Sequence, residues 1–96
     1  MVSYKVLYKV KKSKVDTAKV LINEFIDGIR NNEPDTVFYH AFQDPANPSD
    51  FLHIMTFKNE LAEELHKNSS YCHKFTEELY PLCEKEPIFE SIDLLR

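Results

Sequence analysis

Four histidines, two cysteines and five tyrosines are the side chains here best able to exchange protons, bind a metal or hold a polar ligand. His66 comes first because it ends a helical stretch, NELAEELHK, that follows an apolar strand. With an ordinary pKa of about 6.5, a histidine so placed can bind a phenolic hydroxyl or take its proton. A histidine at a helix end can equally be a structural hydrogen bonder that closes the turn into the next segment. His53 interrupts the apolar run FLHIMTF, and His40 interrupts TVFYHAFQ. If the two strands pair so that both imidazoles share a face, they could bind a metal or a substrate; otherwise they are satisfied core or edge residues. Neither run contains an Asp or Glu to complete a metal set, so no metal site is expected. His73 reads as a surface residue.

Cys72 and Cys83 lie eleven positions apart, about 16 Å along a continuous helix at about 1.5 Å per residue. That exceeds disulfide reach, and neither a CxxC nor a Cys-His metal spacing is present. Both read as reduced, largely buried thiols. The five tyrosines join seven phenylalanines, enough to line a cavity for a flat phenolic ligand or to fill a dimer core. A single glycine cannot build a phosphate-cradling loop, so no flavin or nicotinamide cofactor is expected. No Ser-His-Asp or paired-carboxylate arrangement stands out, and Glu60, Glu63, Glu64, Glu77 and Glu78 read as solvated helix faces.

Ninety-six residues make one domain, 1–96, and a net charge of −4 without a basic cluster argues against nucleic-acid partners. No apolar run reaches the roughly 20 residues of a membrane span, and no signal-peptide pattern opens the chain. A cytoplasmic location is the expectation.

The elements that must position these residues follow from periodicity. Val2, Tyr4, Val6, Tyr8 and Val10 alternate with Ser3, Lys5, Leu7 and Lys9, a strand with one strongly apolar face. Ser13 to Asp16 resembles a capping box, and Val15, Ala18, Leu21, Ile22, Phe25, Ile26 and Ile29 then mark an amphipathic helix from about Val15 to Arg30. Gly28 lies in its last turns and should weaken that end. Strands are expected at Thr36–Gln43 and Phe51–Phe57, joined as an antiparallel hairpin by a loop holding two prolines. A second helix carries Leu61, Leu65 and His66. The break Asn68-Ser69-Ser70 starts a short helix with Tyr71, Cys72 and Phe75 that Pro81 ends near Leu79. Ile88–Leu95 closes the chain as a fourth strand.

This order, β-α-β-β-α-β, is the split βαβ pattern of an α+β, ferredoxin-like domain: a four-stranded antiparallel sheet with helices on one face. Helices on one face leave the other uncovered, yet the first three strands are apolar on both. Each large apolar side chain left wet forgoes about 1.5–3 kcal/mol, so the second face calls for a partner. The simplest partner is a second copy, giving a homodimer whose sheets face each other around a partly enclosed interior.

The stretch EPDTVFYHAFQDPANPSDFLHIMTFKN, continued by LHKNSSYCHKF, is similar to the antibiotic biosynthesis monooxygenase domain. The resemblance covers nearly the whole chain in element order and length. It rests on Phe57 closing a strand nine residues before His66, then Ser69-Ser70 and Phe75, with Glu33-Pro34, Tyr39 and Gln43-Asp44-Pro45 also fitting. Where the family commonly carries Glu and Trp on the third strand, this chain has Met55 and Phe57, and it contains no Trp. The haem-degrading branch, which relies on a Trp, is therefore not expected. The resemblance implies a dimeric α+β barrel and a cofactor-free monooxygenase that oxidises a small phenol, quinol or anthrone with dioxygen. His66 would then be the catalytic base or orienting group, Tyr39, Phe57, Tyr71 and Phe75 the substrate-binding wall, and His53 a second polar contact. The other reading, prompted by the missing Glu and Trp, is a non-catalytic dimeric barrel that binds a small aromatic or lipid-like ligand.

Overall fold

Strict alternation in the first nine residues produces β1 (Val2–Lys9), the strand to which two others attach. A computed structural model describes residues 1–96. β1 pairs with β3 (Asp50–Phe57) on one side and β4 (Ile88–Ile92) on the other, and β2 (Thr36–Gln43) pairs with β3. All pairs are antiparallel and the strand order is β2-β3-β1-β4. The helices α1 (Val15–Asn32), α2 (Glu60–Lys67) and α3 (Ser70–Leu79) complete the ferredoxin-like α+β fold, the second crossover being split in two. No helix is long and apolar enough to cross a membrane.

Register assigns every strand residue to one face. Phe51, His53, Met55 and Phe57 of β3 stand opposite Tyr8, Val6, Tyr4 and Val2 of β1, so all share the helix-covered side. There they meet Ala18, Ile22, Phe25 and Ile29 of α1 and Phe75 and Leu79 of α3. Phe25 and Phe75 stack with centroids 4.2 Å apart, which joins α1 to α3 at the centre of the core. On the opposite side Leu52 and Ile54 are half-buried, while Phe38, Phe42 and Ile88 are exposed. His40 pairs with Ile54, whereas His53 pairs with Ala41, which puts the two imidazoles on opposite faces. They do not share a site.

Several local expectations need correction. No capping box forms at Ser13: Lys12–Lys14 make a 3-10 turn, and α1 begins after Lys14 without a side-chain cap. α1 runs to Asn32, two residues past Arg30, and β4 stops at Ile92. The largest change concerns α2. Leu61 and Leu65 are exposed, and the inward residues are Ala62, Glu63 and His66. Polar anchors set the rotation of this short helix: the Asn59 side chain accepts the Ala62 N–H at its start, and His66 is held at its end. Glu63 is buried rather than solvated, with Lys67 Nζ 2.9 Å from its Oε2 as a close charge contact outside hydrogen-bond angles.

Gly28 also has a different role from the one expected. A Cβ there would lie 2.6 Å from Tyr71 Cγ, so the missing side chain lets α3 close onto α1. In an open helix Gly→Ala gains up to about 1 kcal/mol, but overpacking costs about 1–3 kcal/mol. Gly28→Ala should therefore lower the unfolding free energy by roughly 1–2 kcal/mol in urea titration. A variant as stable as the wild type would show that Tyr71 yields without cost.

Candidate functional site

A cleft of about 510 Å³ lies between the covered face of the sheet and the α2–α3 pair. Its walls are Tyr4, Met55, Phe57 and Phe89 from the strands and Glu63, His66, Lys67, Cys72, His73 and Thr76 from the helices. Behind it a hollow of about 70 Å³ shares Met55, His66, Cys72, Thr76 and Phe89 and reaches inward to Tyr8, Tyr39, His53 and Phe75. A partly enclosed space thus lies between sheet and helices within one chain. The interior expected between two facing sheets is not where the candidate residues point, because alternation sends them to the helix side.

His66 is the most constrained of them. Its Nδ1 lies 3.1 Å from both oxygens of Glu33, whose side chain is 6% exposed against 8% for His66. Thr36 Oγ1 donates to Glu33 Oε1 at 2.6 Å, and the Tyr71 hydroxyl donates to Oε2. Burial alone would raise the Glu33 carboxyl, but hydrogen bonds from His66, Thr36 and Tyr71 outweigh it and hold the group below its ordinary range. Burial pulls His66 down, yet contact with Cys72 and the bond and charge of Glu33 push it up to about 9. At neutral pH this is an imidazolium–carboxylate pair. The other ring nitrogen, Nε2, faces Cys72 Sγ at 4.0 Å across the cleft wall. Such a group can donate a hydrogen bond to an anionic oxygen; as it stands it cannot accept a proton.

His53 is the opposite case. It is 1% exposed, and Tyr8 Oη and Tyr39 Oη lie 2.8 Å from Nε2 and Nδ1 respectively. Burial lowers it to about 4, so it is neutral in the core. Both ring nitrogens are taken by tyrosines, so a hydrogen bond from this group to a ligand would pass through those hydroxyls. Phe57 lines the outer cleft, and Tyr39 and Phe75 line the hollow. Tyr71 lines neither; it sits against α1 and reaches Glu33 with its hydroxyl. His73 is exposed at the rim, and no three His, Cys, Asp or Glu residues converge to hold a metal ion.

Two residues of this arrangement carry no local signal. Glu33 reads as part of a turn before Pro34, thirty-three positions from the histidine it binds. Cys72 reads as a buried thiol until the break at Asn68–Ser69 folds α3 back and brings it beside His66.

A sequence model described as antibiotic biosynthesis monooxygenase matches residues 1–78. No curated protein matches the chain. Among solved structures, an antibiotic biosynthesis monooxygenase is similar at 18% identity over 100% of both chains, with a TM-score of 0.91. A candidate antibiotic biosynthesis monooxygenase from Nitrosomonas europaea gives the same identity, coverage and TM-score. One from Caulobacter crescentus CB15 is 15% identical over 99% of this chain and 90% of its own, with a TM-score of 0.91. At these identities the structural likeness is one of fold.

The Glu33–His66 pair should leave a mark on stability. The folded pKa of His66 lies above its ordinary 6.5, so its contribution is complete below that value and is lost as pH rises through about 9. Glu33 is depressed from 4.5, so its contribution is present above that value and is lost as pH falls through the lower folded value. Between pH 6.5 and 9.5 the wild type should lose on the order of 1–3 kcal/mol more than Glu33→Gln, measured by urea unfolding. Parallel curves for the two proteins would mean that the pair is uncharged.

Proposed function

Because the chain belongs to the antibiotic biosynthesis monooxygenase family, we propose that it is a cofactor-independent monooxygenase acting on a small phenolic or quinol-type aromatic with dioxygen. The observation that carries this reading is the imidazolium of His66, fixed by Glu33 on the wall of an otherwise largely apolar cleft. A phenol in water ionises near pH 10, as tyrosine does. An Nε2–H donor on a mostly apolar wall favours the phenolate, and the anion is the form that gives electrons to dioxygen. For a substrate whose reacting carbon bears two hydrogens, one oxygen atom replaces them as a carbonyl and the other leaves as water.

In this reading His66 is the catalytic residue, as an orienting and charge-stabilising group more than as a resting base. Phe57, Tyr39 and Phe75 form the wall against which a flat ring packs. Tyr71 acts through Glu33, and His53 acts through Tyr8 and Tyr39; both are positioning residues. The working form would be a homodimer joined through the open sheet face, where Phe38, Phe42, Leu52, Ile54 and Ile88 are left without cover from the helices.

Oxygen uptake with a panel of quinols and anthrones should exceed the buffer rate, and His66→Gln should lower kcat/KM by about a hundredfold. A wild-type rate at background across the panel would remove the oxygenase reading. Ligand-induced thermal stabilisation without turnover would then favour a non-catalytic barrel that binds a small aromatic. Sedimentation at micromolar concentration should give a dimer, and Phe42→Asp should shift it toward monomer. A wild-type monomer would exclude the proposed pairing.

A further inference from the structure

The cleft holds a second reactive group that oxygen chemistry leaves unused. We infer that Cys72, His66 and Glu33 form a nucleophilic thiol site, which captures flat unsaturated carbonyl compounds by covalent addition. The three side chains come from α3, α2 and the cap of α1 and meet in sequence: Sγ lies 4.0 Å from Nε2, and Nδ1 lies 3.1 Å from both oxygens of Glu33. This is the nucleophile, proton-transfer group and orienting carboxylate of thiol catalysis, at the looser spacing common without a ligand. Cys72 also stands in the first turn of α3, where Ser69 caps the helix by accepting the Cys72 N–H at 3.2 Å. The first turn places the positive end of the helix dipole beside the cleft wall. The thiol borders both the outer cleft and the inner hollow, so a ring held against Phe57 and Met55 lies beside it.

Cys83 offers a contrast within the same chain. Its Sγ hydrogen-bonds only the Leu79 carbonyl, at 3.5 Å, lines neither space, and makes no hydrogen bond with a histidine.

In the addition, the thiol releases its proton to solvent and Sγ forms a bond to the β-carbon of the ligand. The C=C pair shifts into the bond between the α-carbon and the carbonyl carbon as the C=O pair moves onto oxygen, which takes a proton from His66 Nε2. The enol then tautomerises to the carbonyl adduct, and solvent reprotonates the imidazole. Thiol and ligand combine one to one, and no external oxidant or reductant takes part. This inference does not depend on turnover with dioxygen.

N-ethylmaleimide, itself an unsaturated dicarbonyl, is the probe, with modification of each cysteine followed by peptide mass spectrometry on the folded full chain. At pH 7 Cys72 should react at least about tenfold faster than both Cys83 and free N-acetylcysteine, a modest share of what a positioned proton donor contributes. His66→Gln should remove most of that advantage while leaving the Cys83 rate unchanged. A wild-type Cys72 no faster than N-acetylcysteine would overturn the site without any variant. So would an unchanged Cys72 rate in a folded His66→Gln protein.

Discussion

A carboxylate taken out of water must be met by donors, and Glu33 obtains them from three separate elements. Thr36 at the start of β2, His66 near the end of α2 and Tyr71 at the start of α3 all converge on its two oxygens. A buried charge with fewer partners would cost several kcal/mol, so the geometry of these elements is tied to one point at the end of α1. The rotation of α2, the docking of α3 and the orientation of the His66 ring follow from that tie. It leaves one imidazole nitrogen for the cleft and none of the carboxylate. Gly28 serves the same junction, since only a residue without Cβ lets the Tyr71 ring come close enough to reach Glu33.

The sheet then separates two tasks. Its covered side carries the aromatic core, the cleft and every candidate site residue. Its other side carries Phe38, Phe42 and Ile88 with little cover. Because residues alternate, side chains on the open side do not enter the cleft, and those in the cleft do not reach the open side. The cleft and the hollow are both walled by residues of a single chain.

Much of this was legible from spacing. The alternation of β1, the three- and four-residue steps of α1, and the break at Asn68–Ser70 each announce a local structure, and each forms, α1 running two residues longer than its apolar steps suggest. The family resemblance pointed to His66. What sequence could not give was long-range. Leu61 and Leu65 look like the buried stripe of α2, but Asn59 and the contact of His66 with Glu33 turn them outward. His40 and His53 look like a pair until the register of a hairpin with a seven-residue loop is known. Glu33 and Cys72 acquire their chemistry only from neighbours that the chain brings back.

The core imidazole has a consequence of its own. A neutral His53 carries a single ring hydrogen, and with the two phenolic hydrogens of Tyr8 and Tyr39 there are three to distribute over two bonds. One is always surplus. Moving the ring hydrogen from one nitrogen to the other hands the surplus from one phenol to the other, so the back wall of the hollow can present a donor at either end. The same packed interior can thereby turn its spare donor in two directions without moving a heavy atom.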